Sequence, residues 1–216
     1  VKQLRNPLMA RLILQAYHRS TVPDYLRSDE AMKLYLENIV IEKTENSQGF
    51  PDRDRFLKLL VKELDRNNQE TIDREVLLEN SYFKPFLLNF QKDSPYVQLL
   101  DLGVLLEEWE KDKCYIRFAF DKFFEYLLAQ YHLPRVNNVD DTLQLVKRIP
   151  DFRILEGAVE IILNNFCLED QHKIIVDLID LADESEEEIR RIITDIISKL
   201  LVKLAIESYH KFEKII

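Results

Sequence analysis

The stretch Leu99–Ala129, LLDLGVLLEEWEKDKCYIRFAFDKFFEYLLA, changes its hydrophobic pattern twice. Gly103 is placed to end a helix, because glycine adopts the left-handed conformation of helix ends without a steric penalty. The segments Val104–Glu110 and Cys114–Phe120 are rich in β-branched and aromatic residues, and the polar residues between them suit a hairpin turn. From Asp121, a plausible N-cap, the apolar residues recur at helical spacing. The stretch therefore predicts a helix, a two-stranded wing and a second helix, which is the end of a winged helix-turn-helix.

The composition of the whole chain favours a mainly α-helical fold. The 216 residues include only 3 glycines and 7 prolines, and 46% are hydrophobic, which is ample for a packed core. Leu, Glu and Lys are abundant, and these residues lose little rotamer freedom in helices. We therefore expect a helical bundle plus a winged helix with one β-hairpin, followed by an α-helical bundle or the start of a helical solenoid.

Polar turn residues at Glu42–Gly49 mark the clearest domain boundary. We expect a helical domain over residues 1–49 and a winged-helix domain over residues 50–135. Four consecutive helical patterns with short links then predict a C-terminal helical domain over residues 136–216. The predicted helices of the winged helix span residues 52–66, 72 or 73–80, 82–90 and 95–102.

The last helical pattern, residues 185–214, has the strongest local start signal. Ser185 and Glu188 have the spacing of a capping box, and the glutamates between them favour the positive end of the helix dipole. Apolar positions from Ile189 to Leu204 form a wide stripe. This stripe predicts either burial between other helices or an exposed edge that a partner or another part of the protein covers.

The net charge of -9 disfavours DNA binding, because such binding depends on Lys and Arg releasing counterions from phosphates. The third helix of the winged helix would present Tyr96, Gln98 and Asp101, which do not form a basic reading surface. Trp109, the only tryptophan, is expected to pin the hairpin to the helices.

Catalytic and metal-binding patterns are absent from the sequence. The chain has no G-x-x-x-x-G-K-[ST] loop and no apolar run ending in paired acids, so we expect no ATP hydrolysis by the chain alone. The four histidines are far apart, and no spacing of His, Cys, Asp or Glu matches a zinc site. Carboxylates are plentiful but fall on predicted solvated helix faces.

Cysteine usage and hydropathy indicate the compartment. Cys114 and Cys167 are expected to behave as small apolar residues in a reduced, cytoplasmic setting, with a disulfide between them as the alternative. No apolar run approaches the ~20 residues of a membrane-spanning helix, and no signal peptide pattern is present. The chain begins at Val1, which suggests a fragment of a longer protein.

Two short segments carry a resemblance to a known family. The segment Phe118–Ala129, FAFDKFFEYLLA, resembles the motif F-x-H-x-x-F-x-E-[YF]-[LF]-x-A that closes the winged helix of NACHT-type STAND NTPases. These signalling ATPases include animal NOD-like receptors and bacterial antiviral proteins. The segment Asn6–Leu12, NPLMARL, is similar to the N-P-L-x-x-R-[LI] opening of the helical domain that follows the family's nucleotide-binding domain. The two segments occur in the family's order, with a predicted winged helix between them.

The resemblance implies two nucleotide contacts. Pro7 corresponds to the proline that lies against the adenine of bound ADP or ATP, whereas the chain alone also allows that Pro7 only starts a helix. Phe120 stands where the family usually has a histidine that reaches the ADP phosphate and holds the protein closed. Because phenylalanine cannot donate a hydrogen bond or carry a charge, either the closed state is weaker here or Lys122 or Arg117 supplies the contact.

The resemblance also implies a function. The chain would be the regulatory and oligomerisation region of a STAND ATPase, and ADP or ATP with Mg²⁺ would bind the full-length protein. Its partners would be the missing nucleotide-binding domain and a protein ligand or a second copy, with no membrane. The alternative is a free-standing α-helical protein-interaction module that binds no nucleotide.

Overall fold

The computed structural model describes residues 10–11, 13–14, 17, 28–37, 50–89, 91, 94–168 and 172–213. Within these residues the protein has ten α-helices and one three-stranded antiparallel sheet. The chain forms two compact units, Val1–Leu127 and Leu128–Ile216. The mainly helical fold with a small hairpin is therefore confirmed, whereas the domain boundaries at residues 49 and 135 stay predictions.

The first unit contains the segments that the sequence predicts to form the winged helix. Its described elements are α1 Ser28–Tyr35, α2 Phe50–Asn67, β1 Thr71–Asp73, α3 Arg74–Glu79, α4 Lys84–Leu87, α5 Pro95–Asp101, β2 Leu105–Glu110, β3 Lys113–Phe118 and α6 Asp121–His132, which continues into the second unit. The core of this unit forms around α2, whose residue Phe56 is fully buried. The Phe56 ring centroid lies 5.5 to 5.6 Å from those of Phe83, Phe86 and Tyr96. These aromatic contacts join α2 to α4, α5 and the turn before α4.

The predicted hairpin is present and gains a third strand. The prediction of a helix from residue 72 is wrong at its start, because residues 71–73 form β1, which pairs with β3. Ile72 is buried opposite Ile116, and the Asp73 side chain accepts a hydrogen bond from the Glu75 amide (2.9 Å). Asp73 is thus the N-cap of α3 and separates strand from helix.

Gly103 ends α5 as predicted. Its φ is 69°, its amide donates to Leu100 O (2.9 Å), and the Val104 amide donates to Leu99 O (3.0 Å). This pair of hydrogen bonds is a Schellman motif, which favours glycine because of the positive φ. The chain then enters β2, and the strand order in the sheet is β1-β3-β2.

The regular elements described in the second unit are all helices. Its elements are the end of α6, a 3₁₀ turn Leu133–Arg135, α7 Val139–Arg148, α8 Ile154–Leu168, α9 His172–Glu184 and α10 Glu187–Glu213. Helices α7 to α10 contact one another and bury Ala158, Val159, Ile162, Leu163, Leu178, Ile193, Ile196 and Leu200 among others. The short links between these helices agree with a compact bundle.

The predicted capping box at the start of α10 is wrong. The Ser185 hydroxyl donates to Leu181 O (2.7 Å) and so caps the end of α9. The Arg190 guanidinium, in the first turn of α10, also donates to two carbonyls of α9, Ala182 O (3.1 Å) and Asp183 O (2.7 Å). The last carbonyls of α9 have no acceptor role within their own helix, so they accept hydrogen bonds from Ser185 and Arg190 instead. A capping pattern that is read only from the first residues of α10 does not take these carbonyls into account.

The apolar stripe of α10 has two parts. Ile189, Ile193 and Leu200 are buried in the bundle, whereas the side chains of Leu201 and Val202 are each 60% exposed. The first alternative from the sequence, burial between helices, is therefore confirmed for these three residues, whereas cover of the exposed Leu201 by a partner or by another part of the protein stays a prediction.

Candidate functional site

The motif-like segment Phe118–Ala129 lies at the junction of the wing and α6. Phe118 is the last residue of β3, and its buried ring stacks on that of Phe124 in α6, with centroids 4.9 Å apart. Phe123 and Tyr126 are also buried. The aromatic positions of the segment therefore attach α6 to the wing by packing.

Phe120 lies in this junction and is half-buried. Its ring meets that of Phe123 edge to face, with centroids 5.6 Å apart, and Phe123 stacks on Tyr35 of α1 at 5.7 Å. The Tyr35 hydroxyl in turn donates to Leu102 O (3.0 Å), and burial raises the pKa of this tyrosine. Phe120 thus ends an aromatic row that contacts α1, and it offers an apolar surface where a histidine would offer a donor.

The two cations that could replace a histidine are placed differently. The Lys122 ammonium is paired with the carboxylate of Glu125, one turn further along α6, while the Lys122 side chain is 62% exposed. The Arg117 guanidinium lies on the wing and is held by Glu108 at 2.6 Å, and its side chain is 34% exposed. Lys122 is therefore the more accessible of the two cations. Pro7 lies outside the described residues, so its adenine contact stays a prediction.

Two aromatic residues differ from their predicted positions. Trp109 was expected to pin the hairpin to the helices, but its side chain is 69% exposed. Tyr96 was expected on the outer surface of the third helix, but it is buried and donates from its hydroxyl to Glu107 Oε1 (2.6 Å). Tyr96 thus contacts β2 at Glu107, and Trp109 lies two residues nearer the hairpin turn than Glu107, outside the core.

A polar cluster lies between α3, α5 and the sheet. Glu107 Oε1 accepts from Tyr96 and lies 3.7 Å from Arg74 Nε, while Arg74 Nη2 donates to Leu87 O (2.9 Å). Burial, followed by the hydrogen bond to Glu107, raises the pKa of Tyr96. Burial, followed by the charge of Glu107, raises the pKa of the Cys114 thiol, which disfavours the nucleophilic thiolate. We therefore interpret this cluster as structural.

The cysteines are free. Cys114 is buried in β3 and Cys167 is half-buried in α8, and burial raises the pKa of both thiols. The predicted apolar behaviour agrees with these positions, and the alternative of a disulfide between them is not realised.

In the part of the chain that the structure describes, no group of three or more His, Cys, Asp and Glu side chains is arranged to hold a metal ion. None of the helices in the same residues is both long enough and apolar enough to cross a bilayer.

Comparison of the chain with protein-family models, with curated proteins and with solved structures found no match. The resemblance to NACHT-type STAND NTPases therefore depends on the two sequence motifs and stays a prediction. The feature that sequence reasoning missed is the exposed edge of the wing, where Trp109 stands among glutamates. The one available signal was the charge-rich segment LEEWE, since burying several glutamates would be costly.

Proposed function

We propose that this chain is the regulatory region of a STAND (NACHT) signalling ATPase with a role in antiviral or immune defence. It would couple sensor binding and ADP/ATP exchange to a conformational switch and to oligomerisation, in the cytoplasm. Nucleotide with Mg²⁺ would bind a nucleotide-binding domain elsewhere in the same protein. The chain itself would be non-catalytic, because its sequence has neither a P-loop nor a Walker B segment.

The observation that carries this proposal is the position of the segment Phe118–Ala129. It begins at the last residue of the wing and continues through α6, directly after a three-stranded sheet with order β1-β3-β2. A motif at this place in a winged helix is what the family resemblance predicts. The stacked rings of Phe118 and Phe124 support the proposal further, because a domain that moves as one body needs its wing fixed to its helices.

The proposed switch is a shift between two populations. In the closed state the junction around Phe120 would face the nucleotide phosphates, and ATP in place of ADP would favour the open state. Phe120 offers no hydrogen bond there, so the closed state would be held by packing and by the accessible ammonium of Lys122. A ligand shifts such an equilibrium only by its differential affinity for the two states.

The test is ADP retention by the full-length protein after purification. Phe120→His should slow ADP release on the order of tenfold, because it adds a hydrogen bond to a charged phosphate. Phe120→Leu is the matched control, which keeps an apolar side chain and should leave the release rate close to that of the wild type. Lys122→Gln should accelerate release.

One result would contradict the role of Phe120, and another would contradict the STAND function as a whole. Equal ADP release from the wild type and Phe120→His would show that position 120 is remote from the phosphate. A full-length protein that neither retains nor binds adenine nucleotide would exclude the STAND function. The alternative of a nucleotide-free interaction module would then be favoured, and the exposed Leu201 and Val202 of α10 are the observation that supports it.

A further inference from the structure

The outer edge of the wing has the properties of a peptide-binding strand. Strand β2, Leu105–Glu110, is the last strand in the order β1-β3-β2, and among the described residues it pairs with β3 alone. Its second edge therefore presents backbone N–H and C=O groups that have no strand partner there. An extended peptide can bind such an edge through main-chain hydrogen bonds.

The charges along this edge are unevenly distributed. Strand β2 carries Glu107, Glu108 and Glu110, and five of its six residues are exposed. Lys111 lies in the hairpin turn, and the two positive charges of β3 are paired, Lys113 with Asp73 of β1 at 3.5 Å and Arg117 with Glu108 at 2.6 Å. Glu110 stands directly opposite Lys113 in the register but forms no ion pair within the described residues. Glu110 and the exposed part of Glu108 therefore make the free edge of β2 negative.

Trp109 adds an apolar surface between these charges. Its side chain is 69% exposed, and it lies on the opposite face of the strand from its neighbours Glu108 and Glu110, since side chains alternate along a strand. An exposed tryptophan buries much apolar area on binding and also attracts cations to its ring face. A partner strand would therefore meet the carboxylates of Glu108 and Glu110 on one face and the indole on the other, where the nearby Glu107 already accepts from Tyr96.

We propose that β2 binds an extended basic peptide segment of a partner protein by strand addition. The favoured pattern has Lys or Arg at alternate positions, facing Glu108 and Glu110, with an apolar residue between them that packs against Trp109. A second copy of this chain is a poor partner for this edge, because pairing β2 with itself would set glutamates opposite glutamates. This inference concerns the wing alone and does not depend on the proposed nucleotide switch.

The single tryptophan makes the experiment direct, because all indole fluorescence of the chain reports on β2. The probe is the blocked peptide TKVKVKT, titrated into the 216-residue chain at low salt. We expect a saturable change in indole emission that weakens at high salt. Two control peptides separate the contributions: TEVEVET reverses the charge, and TKPKPKT keeps the charge but lacks backbone donors and extended geometry at its prolines.

Protein variants complete the test, with fluorescein-labelled peptide and anisotropy as the readout. Glu110→Lys should weaken binding about fivefold or more, because it replaces an exposed ion pair by repulsion, and Trp109→Ala about threefold, because it removes the apolar contact with valine. Glu79→Lys makes the same change of net charge on exposed α3 and should leave the affinity unchanged. The proposal is overturned if no saturable binding occurs, if TKPKPKT binds as well as TKVKVKT, or if Glu110→Lys and Glu79→Lys have equal effects.

Discussion

Strands β2 and β3 have equal lengths and lie side by side, yet they differ in burial. In β3 every second residue is buried, namely Cys114, Ile116 and Phe118, whereas in β2 only Leu105 is buried. The difference follows from their places in the sheet, since β3 has a strand on each side and α3 packs against it. A strand at the centre of a small sheet therefore contributes to stability, and its neighbour at the edge is left available for contacts.

The largest expected effect is at the centre of the sheet. Ile116→Ala truncates a fully buried side chain on the strand that pairs with both neighbours, and it should lower the free energy of unfolding by about 2–5 kcal/mol. Leu106→Ala on the edge strand is the matched control and should cost less than about 1 kcal/mol. Urea unfolding followed by circular dichroism measures both values. Equal losses would contradict the contrast between the two strands.

The next effect concerns Tyr96, whose buried hydroxyl makes the free energy of unfolding depend on pH in the alkaline range. Burial and the hydrogen bond to Glu107 raise the pKa of Tyr96 above its unfolded value of about 10, so the folded state retains this proton to higher pH. Stability from this group is complete below pH ~10 and is lost as the pH rises further, by up to about 1.4 kcal/mol per pH unit. Tyr96→Phe should reduce this alkaline loss in urea unfolding series. An unchanged slope would show that folding does not raise the pKa of Tyr96.

A smaller effect on stability is expected from the ion pair between β2 and β3. Arg117 and Glu108 form a cross-strand ion pair at 2.6 Å, but both side chains are partly exposed and solvent screens them. A double-mutant cycle with Arg117→Met and Glu108→Gln should give a coupling of about 0.2–1 kcal/mol, and added salt should reduce it. A coupling above this range would mean that the edge strand contributes more to folding than its exposure suggests.

The smallest effect is at Trp109. Because its side chain is 69% exposed, Trp109→Ala should change the free energy of unfolding by less than about 0.5 kcal/mol. The wild-type emission should be that of a water-exposed indole and should be quenched readily by acrylamide. A blue-shifted, quencher-resistant emission, or a large loss of stability in the variant, would place this residue in a packed interface.

Several parts of the fold could be predicted from local patterns. The hairpin, the helix at Asp52–Arg66 and the helix end at Gly103 each depend on signals within a few residues, such as strand composition, helical periodicity and a glycine at positive φ. Strand β1 was missed, because three residues carry too little pattern and its pairing partner Ile116 is distant in sequence. The candidate site at Phe120 was also located by pattern, but its nucleotide contact stays a prediction.

The sequence by itself determined the helical class, the position of the wing and the net negative charge, because each depends on composition or on short-range periodicity. Only the tertiary structure decided which residues of the wing are covered. It placed Tyr96 in the core beneath Glu107 and left Trp109 in solvent. The physical reason is that alternation assigns a residue to a face of a strand, while the reach of the packed helices decides how far along that face the core extends.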